Sequence, residues 1–157
     1  MARIITAKGL ERFLPKKKKG RVVLAGGCFD MLHIGHLRFL SEAKKLGDYL
    51  VVLLESDKKV RRLKGKNRPV FVQEERAEML SELRSVDLVV LLENMKNDSD
   101  YSDLVMRIRP DIIVVTEGDP YTEMKKWQAR EVGGRLKTIS LKKTFSSSKL
   151  TSILGME

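Results

Sequence analysis

The sequence predicts an α/β fold, a Rossmann-like doubly wound sheet of five parallel strands with helices on both faces. Two patterns predict it. Short, nearly unbroken apolar runs at Val22–Ala25, Tyr49–Leu54, Asp87–Leu92 and Asp111–Val115 alternate with stretches of helical period, as strands covered on both faces do. The turns richest in Gly, His, Asp and Ser (26–36, 116–119 and 145–148) all follow strands. They therefore gather on one edge of the sheet, where open α/β folds place their ligands.

Residues 1–20 are set apart as an N-terminal segment. Ile4, Ile5, Leu10, Phe13 and Leu14 read there as one face of a short amphipathic helix, and Lys16–Lys19 as a basic loop. A domain of residues 21–157 then opens on the first strand. Its crossover helix carries Leu37, Phe39, Leu40, Ala43 and Leu46 at helical spacing and stops at Gly47. Glu55-Ser56-Asp57 sits at the C-terminal end of the second strand. Lys58–Val72, too basic to bury and broken by Gly65 and Pro69, reads as a mobile loop over the site. A helix from Gln73 to Leu83 turns Ala77, Met79, Leu80 and Leu83 inward. Asn94–Asp100 is a polar connection, Leu104–Ile108 closes a short helix, and Pro110 forces a break before the fourth strand. A helix over Thr122–Glu131, a fifth strand at Arg135–Ile139, the serine turn and a last helix through Leu154 complete the chain.

Composition narrows the function classes. A length of 157 residues with 42% hydrophobic and 33% charged residues is a one-domain protein with a heavily charged surface. There is no apolar run of the roughly 18 residues that a bilayer crossing needs, and Arg3, Lys8, Glu11 and Arg12 interrupt any secretory core. The expected compartment is the cytoplasm. Cys28, the single cysteine, excludes an intrachain disulfide and a multi-cysteine metal site. The formal charge of +10 suits substrates that are all phosphates. A basic nucleic-acid-binding module is the non-enzymatic alternative; it rests on that charge and the tetralysine alone, because the few aromatics are not interleaved with the basic residues.

The chain's two histidines, His33 and His36, both fall in the tetrapeptide that opens the first helix, beside Gly26, Gly27 and Gly35. Glycines let backbone approach an anion, and helix-start amides point at it, so the turn reads as a phosphate site. It contains neither the dinucleotide fingerprint G-x-G-x-x-G nor a G-x-x-x-x-G-K-[ST] loop.

The stretch Gly27-Cys28-Phe29-Asp30-Met31-Leu32-His33-Ile34-Gly35-His36 closely resembles the signature of the H-x-G-H nucleotidyltransferase superfamily. In order and approximate spacing, Leu63-Lys64-Gly65, Arg68-Pro69-Val70, Glu75-Arg76, Arg109-Pro110-Asp111, Gly118-Asp119, Gly133-Gly134 and Ser146-Ser147-Ser148 are similar to its cytidylyltransferase-like branch. The heptose-phosphate adenylyltransferase domain resembles the chain most, with glycerol-3-phosphate cytidylyltransferase and archaeal FAD synthetase as the alternatives.

The resemblance implies transfer of a nucleoside monophosphate, AMP from ATP or CMP from CTP, to a phosphorylated acceptor such as a sugar phosphate, with release of pyrophosphate. It implies Mg2+ held mainly by the phosphates rather than by protein ligands, no membrane, and a homodimer. His33, His36 and Lys64 take the catalytic positions, with Lys66 and Arg62 as alternatives to Lys64. Gly27, Cys28, Phe29, Gly35, Gly118, Asp119, Ser146, Ser147 and Ser148 take those that bind nucleotide. Asp30, Arg76 and Lys142 are further contacts to substrate or phosphate, with three competing readings: Asp30 orients a histidine, Asp30 is a plain turn residue, and Arg76 stabilises the fold. Two departures stand out: Lys142 lies where cytidylyltransferases carry an arginine, and Thr116-Glu117 precedes Gly-Asp in place of small or basic residues.

Overall fold

A computed structural model describes residues 1–15, 20–142 and 146–155. The apolar runs become strands β2 (Val22–Gly27), β3 (Tyr49–Leu54), β4 (Leu88–Leu91) and β5 (Ile112–Thr116), each buried along most of its length. With β1 (Arg3–Thr6) and β6 (Arg135–Ile139) they form one all-parallel sheet in the order β1-β4-β3-β2-β5-β6. The order reverses at β2, since β3 and β4 extend to one side of it and β5 and β6 to the other. Such a reversal opens a crevice at the C-terminal strand ends.

The period-2 alternation of each strand feeds two cores. Val23, Ala25, Val52 and Leu54 meet Phe39 and Leu40 of α1 (Ile34–Lys44) and Leu80 of α3 (Gln73–Ser81). Leu24, Val51, Leu53 and Val90 face the other way, onto Leu104 and Val105 of α4 (Asp98–Ile108) and Ala129 of α5 (Thr122–Glu131). The remaining helices, α2 (Asp57–Lys64) and α6 (Ser147–Ile153), stand over the C-terminal edge.

Three expectations are corrected. The sheet has six strands, because the N-terminal residues expected as a helix form β1, paired in register from Arg3 opposite Leu88 to Thr6 opposite Leu91. The β-branched run Ile4-Ile5-Thr6 favours a strand, and the otherwise open edge of β4 decides for it. Only a 3-10 turn at Leu10–Arg12 remains helical, entered through Gly9 at φ 77°. The tetralysine lies outside the described residues. Next, the basic segment expected as a mobile loop begins with α2, where Ser56 Oγ accepts from Lys59 N at 3.2 Å and Val60 is fully buried. Lastly, α4 starts at Asp98, inside the stretch expected as a polar connection up to Asp100, because Asn97 and Asp100 cap it reciprocally.

Gly47 ends the first crossover for a reason other than left-handed backbone. A Cβ there would lie 2.7 Å from both the Arg21 carbonyl oxygen and Val23 Cγ2. Gly47→Ala is therefore expected to cost about 1–3 kcal/mol in urea unfolding, the usual range for overpacking. A wild-type midpoint would show that the Arg21 backbone moves aside freely.

A candidate active site at the first crossover

The loop from Gly27 to His33 turns tightly enough to place two non-glycine residues in the left-handed region, Phe29 at φ 46° and Met31 at φ 53°. Gly27 permits this, since a Cβ there would meet the Phe29 ring at 3.0 Å. Between the two, Asp30 points inward and is 0% exposed. Its carboxylate accepts from Arg68 Nε at 2.6 Å, Val70 N at 3.0 Å and Phe71 N at 3.3 Å. Burial raises the Asp30 pKa, but the Arg68 guanidinium and the two amides together outweigh it and hold the carboxyl below its ordinary value. Among the described residues the Asp30 carboxylate makes no hydrogen bond to a histidine; it clamps the 68–71 segment beneath the turn.

Arg68 extends the clamp to the last helix, donating to Ser147 Oγ at 3.2 Å and Thr151 Oγ1 at 3.3 Å. Lys64 Nζ donates to the same Ser147 Oγ at 3.0 Å. A hydroxyl has two acceptor lone pairs and one proton, so Ser147, with both lone pairs taken by cations, keeps its proton to donate into the site.

The histidines sit above this network. His33 caps α1, its Nδ1 accepting from Gly35 N at 3.1 Å, which leaves the proton of the neutral ring on Nε2. The His36 ring stacks on it at 3.9 Å between centroids and meets the edge of Phe29 at 5.4 Å. His36 Nδ1 is buried without a hydrogen-bond partner among the described residues. Burial, then His33 and Lys64, push the His36 pKa down to about 3; burial and Lys64 lower that of His33. Lys64 is itself lowered, first by burial. Each positive charge here is costly, which is the electrostatic signature of a place built to receive an anion.

The other sequence-predicted residues divide. Gly27, Cys28 and Asp119 line an adjoining cleft of about 310 Å³. Burial raises the Cys28 thiol above its ordinary pKa, so it is not an activated nucleophile. Gly118 adopts φ 79°, and the Asp119 carboxylate turns back to accept from Tyr121 N and Lys125 Nζ, both at 2.7 Å. Ser146 Oγ caps α6 by accepting from Lys149 N at 3.2 Å, and the Ser148 carbonyl accepts from Thr151 Oγ1. Lys142 is exposed and makes no hydrogen bond or ion pair with the site among the described residues. Phe145 lies outside them.

Arg76 follows the fold-stabilising of its two readings. It is completely buried and donates to the carbonyls of Phe71, Cys28 and Glu55 and to Asp57 Oδ1 at 2.7 Å. These bonds tie it to the frame behind the turn, where it braces the Cys28 and Glu55 backbone. No group of three or more His, Cys, Asp or Glu side chains suited to a metal ion occurs among the described residues. Donors dominate the cradle, and its one carboxylate is spent on Arg68; such a set suits a cation carried on phosphate oxygens rather than one gripped by carboxylates.

Sequence reasoning missed three residues: Arg68, Glu55 and Tyr101. Arg68 was visible in the Arg68-Pro69-Val70 match but received no role, because it ends a basic run of the kind that ordinarily signals solvent. Glu55, at the end of β3, had position as its sole signal. Tyr101 lay between the expected connection, which ends at Asp100, and the Leu104–Ile108 end of the short helix, and carried no signal of its own.

A family model described as cytidylyltransferase-like matches residues 24–152. The chain is 35% identical over 154 residues to the bifunctional protein HldE of Koribacter versatilis, an alignment covering 95% of this chain and 30% of that protein. It thus spans under a third of that relative's length. Among solved structures, the lipopolysaccharide core biosynthesis protein from Thermoplasma volcanium superposes with a TM-score of 0.63 at 31% identity, over 80% of this chain and 99% of that one. The pantoate-beta-alanine ligase of Francisella tularensis, at 14% identity and a TM-score of 0.69 over 96% of this chain and 73% of that one, shares the fold. The family match takes in the histidine turn and the cleft together, and by it this chain belongs to the cytidylyltransferase-like family.

Proposed function

We propose that the chain transfers a nucleoside monophosphate, AMP from ATP, to a sugar phosphate of the heptose-phosphate type, releasing pyrophosphate. An oxygen of the acceptor's phosphate attacks the α-phosphorus, the bond from that phosphorus to the bridging α,β-oxygen breaks, and the bridging oxygen leaves with the pyrophosphate. The acceptor phosphate is already anionic near neutral pH, so no general base is required; the protein aligns the reactants and stabilises developing charge. The observation that carries this reading is the cradle of His33, His36, Lys64 and the Ser147 hydroxyl. All four are hydrogen-bond donors, gathered at a helix start on the C-terminal edge of the sheet.

In this reading His33 and His36 donate from their rings to the triphosphate, Gly35 lets it approach, and Lys64 follows charge onto the leaving pyrophosphate. Gly27, Cys28 and Phe29 contribute backbone contacts, Gly118 and Asp119 lie towards the nucleoside, and Ser146 and Ser148 border the outer phosphates. Mg2+ on the phosphate oxygens supplies further charge neutralisation when bound. A cytoplasmic setting belongs to the same reading, supported by the lone, half-buried Cys28. Among the described residues no helix is long and apolar enough to cross a membrane.

Pyrophosphate release from each of the four common nucleoside triphosphates, across heptose, hexose and glycerol phosphates, tests the proposal. ATP with a sugar phosphate is expected to turn over fastest, and Lys64→Met to lower kcat by about 10²–10³-fold, as loss of one charge-stabilising donor does. Turnover with none of the pairs would refute it.

A further inference from the structure

The cleft beside the phosphate cradle holds a carboxylate that the transfer chemistry leaves unused. Glu55 ends β3, and its backbone is fixed on both sides: its N–H donates to Gly27 O at 3.1 Å and its carbonyl accepts from Arg76 Nη2 at 2.9 Å. Its side chain therefore belongs to the same rigid frame as the histidine turn. The Tyr101 hydroxyl, from α4, lies 2.8 Å and 3.0 Å from the two Glu55 oxygens. Both residues line the cleft, above a floor that includes Leu24, Leu53, Val105 and Ile113.

A carboxylate offers about four acceptor sites, and a phenol one proton. Tyr101 is the sole hydrogen-bond donor to the Glu55 carboxylate among the described residues, so about three sites stay open towards the cleft. A tie needed only to dock α4 on β3 would not leave a half-buried carboxylate that under-used. Burial raises the Glu55 pKa and outweighs the Tyr101 hydrogen bond and the nearby Lys59, Lys125 and Arg62. The same cations decide what kind of donor fits. Lys59 Nζ also sits 5.3 Å from the centre of the Tyr101 ring, and an incoming ammonium would be repelled by this set. Neutral hydroxyl donors are accepted without that cost, and an apolar floor suits the C–H face of a sugar ring.

We infer that Glu55 and Tyr101 form a hydroxyl-reading pair: the carboxylate accepts from two adjacent hydroxyls of a sugar in the cleft, and the phenol oxygen accepts from a third group. The inference rests on the transfer reading above for the sugar's presence. Adjacent hydroxyls occur both on the ribose of the nucleotide and on a sugar-phosphate acceptor, and the experiment separates them.

Isothermal titration of wild type, Glu55→Gln and Tyr101→Phe would use ATP, 3′-deoxy-ATP, mannose 1-phosphate, its 2-deoxy analogue and inorganic triphosphate. Wild type is expected to prefer the fully hydroxylated member of one pair by about ten- to a hundredfold, the worth of hydrogen bonds to a charged acceptor. Glu55→Gln is expected to erase that preference while inorganic triphosphate binds as before. Loss confined to the ATP pair assigns the ribose; loss confined to the mannose pair assigns the acceptor. Tyr101→Phe, which keeps the ring packing, is expected to shrink the preference and guards against a folding defect in the first variant. Lack of preference in wild type, an unchanged preference in both variants, or a parallel loss of triphosphate binding would each overturn the inference. Failure of the transfer reading shows separately, as absent pyrophosphate release from a protein that still discriminates hydroxyls.

Discussion

His36→Ala is expected to lower kcat by about 10²–10³-fold while leaving a folded protein, the scale set by removing one preorganised donor from a site of developing charge. The ring is held by stacking on His33 at 3.9 Å and by the Phe29 edge, with no hydrogen bond to its Nδ1 among the described residues, so its loss costs packing more than a polar network. His33 differs, because its Nδ1 caps α1. Alanine there would remove about 1 kcal/mol of cap along with the donor. His33→Asn keeps a capping acceptor and is the cleaner variant; it is expected to show the same fall in kcat with near wild-type urea unfolding. Wild-type turnover in both variants would remove the histidines from the chemistry.

The pH behaviour follows with its sign. His36 falls from 6.5 to about 3 in the folded protein, so below pH 6.5 the unfolded chain binds a proton that the native one refuses. Stability of the free protein is thus expected to decline as pH falls from 6.5 towards 3, and His36→Ala to flatten that limb. In the proposed reading a triphosphate brings negative charge beside both rings, which favours their protonated forms. Nucleotide binding near pH 6 is therefore expected to take up protons, read as a buffer-dependent binding enthalpy.

What the sequence could reveal follows from where each signal resides. Strands β2 to β5 were legible because covering both faces of a parallel sheet demands unbroken apolar runs. β1 was not, since its pairing depends on the free edge of β4, some eighty residues away, and its own spacing serves helix or strand alike. The histidine turn was legible because rare residue types crowd into one short segment. The clamp beneath it was hidden for the opposite reason: Arg68 and Arg76 resemble the surface arginines around them, and only tertiary contacts with Asp30, Asp57 and the carbonyls of Cys28 and Glu55 show them to be interior. Charge read along a chain reports solvent by default; buried pairs are the exceptions that need a partner in view.

Arg68 is where that hidden layer carries the largest stability effect. Arg68→Met is expected to destabilise the protein by about 3–5 kcal/mol, because it leaves a fully buried Asp30 carboxylate without its cation. Asp30→Asn strands the guanidinium in turn, so the double variant Asp30→Asn/Arg68→Met is expected to cost clearly less than the two single changes combined. Additive costs would mean that the pair is not coupled. Because the Asp30 pKa is depressed in the native state, its contribution is complete above the unfolded value of 3.8 and is lost as pH falls through the lower native one. Below pH 4, wild type therefore loses a stabilisation that Arg68→Met has largely lost already, and their stabilities converge. Function follows the same clamp, since Arg68 joins the turn that carries the histidines to the Ser147 shared with Lys64. At a temperature where Arg68→Met stays folded, kcat is expected to fall by about 10²-fold from misplacement of the cradle, although Arg68 touches no reactant. Full turnover in a folded Arg68→Met would show that the histidine turn holds its geometry without the last helix.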